Sequence, residues 1–178
     1  MERNSWCREI NKENFEVSIK EWKPSDLFLD AVSIIKMSIE DIRTNYTHHE
    51  MLAFIKRIQV NKVILIITGG EHGSISFFPK NNSELMECYY TPVKIVTNVV
   101  DTTGAGDVWL ITFTLQYHLT KNIYNSLAYA SIVTSLKIQS EELGFKIIDQ
   151  KELQKMIQTH EKNINLISLE QGLKKVFG

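Results

Sequence analysis

The sequence predicts an α/β domain, and three observations carry that expectation. Residues 63–67 (VILII) form a continuous, mostly β-branched run stopped by Thr68-Gly69-Gly70, the pattern of a strand covered on both faces. Just before it, Met51, Leu52, Phe54, Ile55 and Ile58 recur at helical spacing. Strand-like segments dominate the first half and helical ones the second, with crossover helices between strands, which suits a layered sheet better than a bundle or a sandwich.

In chain order, residues 15–22 alternate Phe15, Val17 and Ile19 before Trp22 and predict a half-exposed strand. Residues 31–37 (AVSIIKM) predict a short buried strand, and residues 50–59 a helix. Beyond the strand at 63–67, residues 74–78, 85–90 and 93–96 read as shorter strands, with a turn at 80–83 (KNNS). Three helices follow: 104–119 with a stripe of Val108, Ile111, Leu115 and Leu119, then 122–139, then 150–159. Residues 160–178 are mixed and predict no definite element.

Composition bounds the function. A chain of 178 residues, 43% hydrophobic and 23% charged, with 20 Lys+Arg against 21 Asp+Glu, is an ordinary globular domain. A net charge of -1 provides no broad attraction to nucleic acid or to an anionic membrane, so neither is expected as a partner. The longest strongly apolar stretch, at 63–67, is far short of the ~20 residues of a membrane-spanning helix. Residues 1–14 are too charged for a secretory signal, and Cys7 and Cys88 have neither metal-site nor disulfide-framework spacing. Free thiols in a cytoplasmic protein are expected.

Five of the eight glycines fall in two segments, Gly69-Gly70-Glu71-His72-Gly73 and Thr103-Gly104-Ala105-Gly106. The second opens a predicted helix, whose unpaired N–H groups and dipole make an anion site suited to a phosphoryl group. The common phosphate motifs do not match: Trp109 stands where a dinucleotide fingerprint needs its third glycine, and no Gly-Lys-Ser/Thr follows. Asp107 adds a carboxylate in the first helical turn. It would repel a phosphate merely stored there, but suits a base acting on an attacking hydroxyl.

Residues 101–107 (DTTGAGD), with VILIITGGEHG at 63–73 before them, resemble the C-terminal signature of ribokinase-like, or PfkB-type, carbohydrate kinases. The resemblance implies a ribokinase-like three-layer α/β fold and transfer of the γ-phosphoryl group of ATP·Mg²⁺ to an alcohol of a sugar, polyol or related molecule. It makes Asp107 the base and the amides of Gly104, Ala105 and Gly106 the anion hole. Thr68, Gly70 and Thr103 become nucleotide contacts, and the helix around Ala128, Ser131 and Ile132 the wall near the base. Asp101, with the Thr103 backbone, would lie by a monovalent cation such as K⁺. Residues 36–41 (KMSIED) align with an Asn-x-x-Glu motif linked to Mg²⁺, with Ser38 and Asp41 at the key places, so that Asp41 would hold a Mg²⁺-bound water.

The likeness runs from about residue 6 to about residue 156. It implies that residues 1–159 are the C-terminal part of a kinase domain and 160–178 a tail, in an incomplete fold without the family's N-terminal sugar-binding part and β-lid. An exposed sheet edge and apolar face would follow, covered by a homo-oligomer or a complementing chain.

Plainer readings stand beside these. Asp107 is also a dipole-stabilised first-turn acid, worth about 0.3–1 kcal/mol. Ser38 and Asp41 also suit a helix cap with its first-turn acid, and Gly69, Gly70 and Gly73 a tight turn. His48 and His49 read as a solvated turn before a helix, His72 as exposed, and Trp6, Trp22 and Trp109 as packing residues. For the whole chain, the alternative is a nucleotide-binding or interaction module descended from a kinase that no longer transfers phosphate.

Overall fold

A computed structural model describes residues 8–11, 13–19, 22–80, 86–140 and 148–177. Strands β1 (Arg8–Ile10) and β2 (Val17–Ile19) pair antiparallel, with Arg8 opposite Ile19 and Ile10 opposite Val17. Five further strands form one sheet in the order β3 (Ile34–Ser38), β4 (Ile64–Thr68), β5 (Ser74–Pro79), β6 (Met86–Thr91) and β7 (Asn165–Ile167). The β6–β7 pair is antiparallel, with Cys88 opposite Ile167 and Tyr90 opposite Asn165. The chain divides into two compact units, one of Met1–Ile67, Phe77–Glu87 and Ser168–Gly178, the other of Thr68–Ser76 and Cys88–Ile167.

In the first unit, helices α1 (Asp26–Ala31), α2 (Ile39–Asn45) and α3 (His48–Val60) precede β4, and α7 (Leu169–Phe177) ends the chain. Helix α3 buries Met51, Phe54, Ile55 and Ile58, the residues whose spacing predicted it. It starts earlier than expected, at His48, because Thr47 and Glu50 close a capping box: the Thr47 N–H donates to Glu50 Oε2 at 2.8 Å and the Glu50 N–H to Thr47 Oγ1 at 3.3 Å. The Thr47 N–H and the Thr47 hydroxyl, which also donates to Glu50 Oε2 at 2.7 Å, hold the Glu50 carboxyl below its ordinary range. His48 and His49 are thus the first residues of the helix, exposed as expected, rather than a preceding turn.

Strand β4 is buried along almost its whole length, as an unbroken apolar run requires. Helix α1 was not expected, since six residues are too few for periodicity to register, whereas α2 starts as the plainer reading of Ser38 and Asp41, a cap with its first-turn acid, has it. Each starts from a serine: Ser25 Oγ accepts from the Phe28 N–H and Ser38 Oγ from the Asp41 N–H. Helix α1 occupies residue 31, so the strand predicted at 31–37 begins at Ile34 instead. Trp22 packs edge-on against Phe28 and Phe54, with centroids 5.9 and 6.0 Å away, and the Tyr46 hydroxyl donates to its carbonyl. Within this unit, α7 also packs on α2.

The second unit holds α4 (Ala105–Thr120), α5 (Ile123–Lys137) and α6 (Gln150–Glu161). Helix α4 is turned opposite to its expected stripe. Ile111, Leu115 and Leu119 are 66%, 59% and 68% exposed, while Trp109 and Phe113 are buried. The helix is apolar on both faces, so periodicity offers two solutions and aromatic bulk selects between them. The Trp109, Phe113 and Tyr117 rings stack in succession at 5.4 and 5.6 Å. Asn125 links three helices, accepting from Gln116 Nε2 at 2.7 Å and donating to Glu161 Oε1 at 2.6 Å. Helix α5, rich in Ala and Ser, is buried over most of its surface.

Residues 93–96, expected as a strand, follow β6 as irregular chain with Lys94 and Ile95 exposed. Residues 160–178, to which no element was assigned, carry β7 and α7. Trp6, Cys7 and all but the first residue of the turn expected at 80–83 lie outside the described residues. Cys88 is a buried free thiol, pushed by burial up to about 12 and hence unreactive. Among the described residues, no helix is long and apolar enough to cross a membrane.

Candidate functional site

Both glycine segments belong to the second unit. After β4, the first closes on itself through hydrogen bonds from Gly69 N–H to Gly73 O (2.8 Å), His72 N–H to Gly69 O (2.9 Å) and Gly73 N–H to Gly70 O (3.2 Å). Gly70 and Gly73 have φ of 55° and 84°. A Cβ on Gly73 would lie 2.3 Å from the Thr91 carbonyl oxygen, so this turn seats against the end of β6 only because residue 73 has no side chain. His72 is exposed, as expected.

The second segment leads into α4 through Gly104, the N-cap, at φ 71° and ψ 5° with no side-chain cap. A Cβ there would meet nothing within 4 Å. Of the three expected anion-hole amides, that of Ala105 already donates to the Thr102 carbonyl at 3.0 Å, and the Asp107 N–H turns back to Gly104 O at 3.1 Å. No backbone acceptor among the described residues takes the N–H groups of Gly104 or Gly106. The open donors at this helix N-terminus are therefore theirs. Asp107 is exposed in the first turn of α4, one residue beyond Gly106.

Asp101 organises the start of the loop. Its Oδ1 accepts the Thr103 N–H at 2.8 Å, and Lys137 Nζ lies 3.2 Å from its carbonyl oxygen and 3.4 Å from Oδ2. Hydrogen bonding by Thr103, and after it the Lys137 ammonium, hold the Asp101 carboxyl below its ordinary range. The N–H groups of Val100 and Asp101 both point to the Ile138 carbonyl, at 2.8 and 3.3 Å. Loop and α5 C-terminus are thus fastened together.

A cavity of about 630 Å³ lies between these parts. Thr68, Gly70 and Gly73 form one side and Pro92 to Val96 another; Thr102, Ala105, Gly106 and Trp109 come from the loop and α4, and Ser131, Thr134, Ser135 and Ile138 from α5. Of the expected nucleotide contacts, Thr68 and Gly70 line it, whereas Thr103 does not. Of the expected helix wall, Ser131 faces the cavity, while Ala128 and Ile132 are buried and are not among its lining residues. Ser74, Thr91 and Thr134 also line it, and their hydroxyls are buried without a hydrogen-bond partner among the described residues. Orphaned buried hydroxyls are costly unless something bonds them.

Asp41 belongs to the first unit, in the first turn of α2, where its Oδ2 accepts the Ser38 hydroxyl at 2.7 Å. Among the described residues, no cluster of three or more His, Cys, Asp or Glu side chains could cage a metal. A single carboxylate steadied by a hydroxyl fits an outer contact to a metal-bound water rather than a cage.

Sequence reasoning missed Thr91, Thr102, Thr134 and Lys137. The hydroxyls carry no sequence signal, because Ser and Thr are common on helices and strands alike. Lys137 does carry one: a cation between Leu136 and Ile138 at the end of an otherwise uncharged helix needs an anionic partner.

The family model described as "pfkB family carbohydrate kinase" matches residues 4–150. Among solved structures, the chain is similar to a nucleoside kinase of Methanocaldococcus jannaschii, an archaeal member of the ribokinase family, at 15% identity and TM-score 0.57, covering 75% of this chain and 42% of that one. It is also similar to the Arabidopsis thaliana ribokinase complexed with ribose and ATP, at 20% identity and TM-score 0.56, covering 75% and 43%. An E. coli protein described as a ribokinase II, in complex with ATP and Mg²⁺, matches at 20% identity and TM-score 0.58, covering 76% and 42%. These likenesses establish a ribokinase-like α/β fold, of which this chain spans less than half the length of the solved relatives. No curated protein matches it in sequence. Since the family model covers most of its length, the chain belongs to the pfkB family of carbohydrate kinases.

Proposed function

We propose that the second unit carries the nucleotide site and catalytic base of an ATP-dependent phosphotransferase acting on an alcohol group of a sugar, polyol or related small molecule. One observation carries this reading: a cavity with three orphaned hydroxyls reaches the uncapped glycine N-terminus of α4, and the next residue beyond its lining is a carboxylate. ATP would occupy the cavity between Thr68, Gly70 and the α5 wall, its base and ribose satisfying the orphaned hydroxyls. Its γ-phosphoryl group would meet the Gly104 and Gly106 amides, which offset charge on the equatorial oxygens. Ala105 shapes that hole through its bond to Thr102.

Asp107 orients the acceptor hydroxyl. As the acceptor oxygen bonds to the γ-phosphorus and the bond to the β-phosphate oxygen breaks, the hydroxyl proton passes to Asp107 and ADP leaves. Mg²⁺, when bound, would neutralise charge on the phosphates. ATP and Mg²⁺ are the groups named in the E. coli relative.

Residues 1–159 are proposed as the kinase domain, followed by residues 160–178, which carry β7 and α7, in a protein proposed to be cytoplasmic. The exposed Ile111, Leu115 and Leu119 stripe of α4 supports a covering partner, either a second copy or a complementing chain that brings the acceptor pocket. The second reading is a nucleotide-binding or interaction module without transfer, for which the stripe would serve as a docking face. Calorimetry with ATP·Mg²⁺, followed by phosphate-transfer assays of wild type and Asp107→Asn, decides between them. Binding with Asp107-dependent transfer supports the kinase; binding with no transfer to any alcohol supports the module.

A further inference from the structure

We infer that the Lys137 ammonium serves as a tethered cation on Asp101, occupying the oxygens that the family resemblance offers to a monovalent ion such as K⁺, so that this loop needs no added ion. Lys137 ends α5, where the negative end of the helix dipole favours a cation. Its side chain is only 6% exposed. An ammonium so buried must be solvated by protein oxygens, and the Asp101 carbonyl at 3.2 Å and Oδ2 at 3.4 Å are those oxygens.

The remaining Asp101 oxygen, Oδ1, is taken by the Thr103 N–H. A K⁺ ion bridging the carbonyl and carboxylate of Asp101 would compete for the same two atoms and lie against a fixed positive charge. The residues present therefore do not fit the ion. Lys137 is a positioning residue. It acts through Asp101 and Thr103 on the approach to Gly104, and the Val100 and Asp101 bonds to Ile138 secure the same junction from the backbone. The functional meaning rests on reading residues 101–107 as the phosphoryl-holding loop, but the contact itself does not.

The test compares thermal unfolding of the whole chain, without nucleotide, in KCl, NaCl and tetramethylammonium chloride at one ionic strength. Wild type is expected to unfold at the same temperature in all three. Lys137→Met is expected to unfold about 2–4 °C lower in tetramethylammonium and to recover part of that loss in K⁺, because the vacated oxygens then accept an ion. Lys137→Arg, which keeps the charge, should show no preference among the salts. A wild-type protein stabilised by K⁺ over tetramethylammonium overturns the inference. A Lys137→Met protein that folds but ignores the cation overturns it too. If Lys137→Met does not fold, the wild-type and Lys137→Arg comparisons decide. Calorimetric titration of wild type with ATP·Mg²⁺ in the same salts separates the two readings: absence of binding sinks the kinase proposal alone, while binding that K⁺ strengthens sinks the tethered cation alone.

Discussion

The two glycine segments of the second unit use the same residue for opposite ends. In the turn at 69–73, the three backbone hydrogen bonds among the described residues close inward and Gly73 is pressed against the Thr91 carbonyl. In the loop at 101–107, Gly104 faces open space, and the Gly104 and Gly106 N–H groups have no backbone acceptor among the described residues. Glycine in the first lets backbone meet backbone, and in the second it leaves the space that the proposed phosphoryl group would enter. Substitutions in the turn should therefore damage the fold, and substitutions in the loop should damage binding and transfer.

The largest expected effect is on catalysis. Asp107→Asn keeps size and polarity but removes the proposed base, so transfer should fall by about 10²–10⁴ while the melting temperature holds. A variant that unfolds instead would make Asp107 a structural acid and blur the contrast. Next is Gly73→Ala. Its φ of 84° and ψ of -149° lie in a region almost reserved for glycine, and the added methyl meets backbone, so a loss of about 2–5 kcal/mol in urea unfolding is expected.

Gly104→Ala should cost only about 1–2 kcal/mol of stability, from left-handed backbone without a clash. It should nevertheless weaken ATP·Mg²⁺ binding by about tenfold in calorimetry, since the methyl enters the space before the open amides. Equal stability losses for the two alanine variants would break the comparison.

The smallest effect is a pH dependence. Burial lowers the pKa of His160, whose Nε2 has no partner among the described residues. A folded-state pKa below the unfolded ~6.5 contributes stability that is present above the unfolded value and lost as pH falls through the folded one. Melting temperature should thus decline on acidification below neutrality, and His160→Gln should flatten that decline. A parallel decline in wild type and variant would assign it to other groups. Asp101, also depressed, adds a loss only at lower pH, below the ordinary carboxylate range near ~3.9.

Much of this was legible in the residues. The unbroken run at β4 and the spacing in α3 predicted both elements, because each buries one clearly defined set of side chains. DTTGAGD marked the loop, its glycine N-terminus and Asp107 together. Helix α1 was not legible and α2 only at its start, in the Ser38 cap and Asp41, since their short spans are set by Ser25 and Ser38 caps rather than by a repeating apolar face. The face of α4 was misread because Ile111, Leu115 and Leu119 are as apolar as the residues that the helix buries.

The sequence by itself determined the family, the α/β class and the chemical character of the loop, because each depends on residues adjacent in the chain. Only the tertiary structure decided which side of α4 turns inward, which hydroxyls are left without partners in the cavity, and that Lys137 reaches across 36 positions to Asp101. The physical reason is the same in each case. Burial and pairing depend on what packs opposite a residue, and a neighbour distant in sequence leaves no periodic trace along the chain.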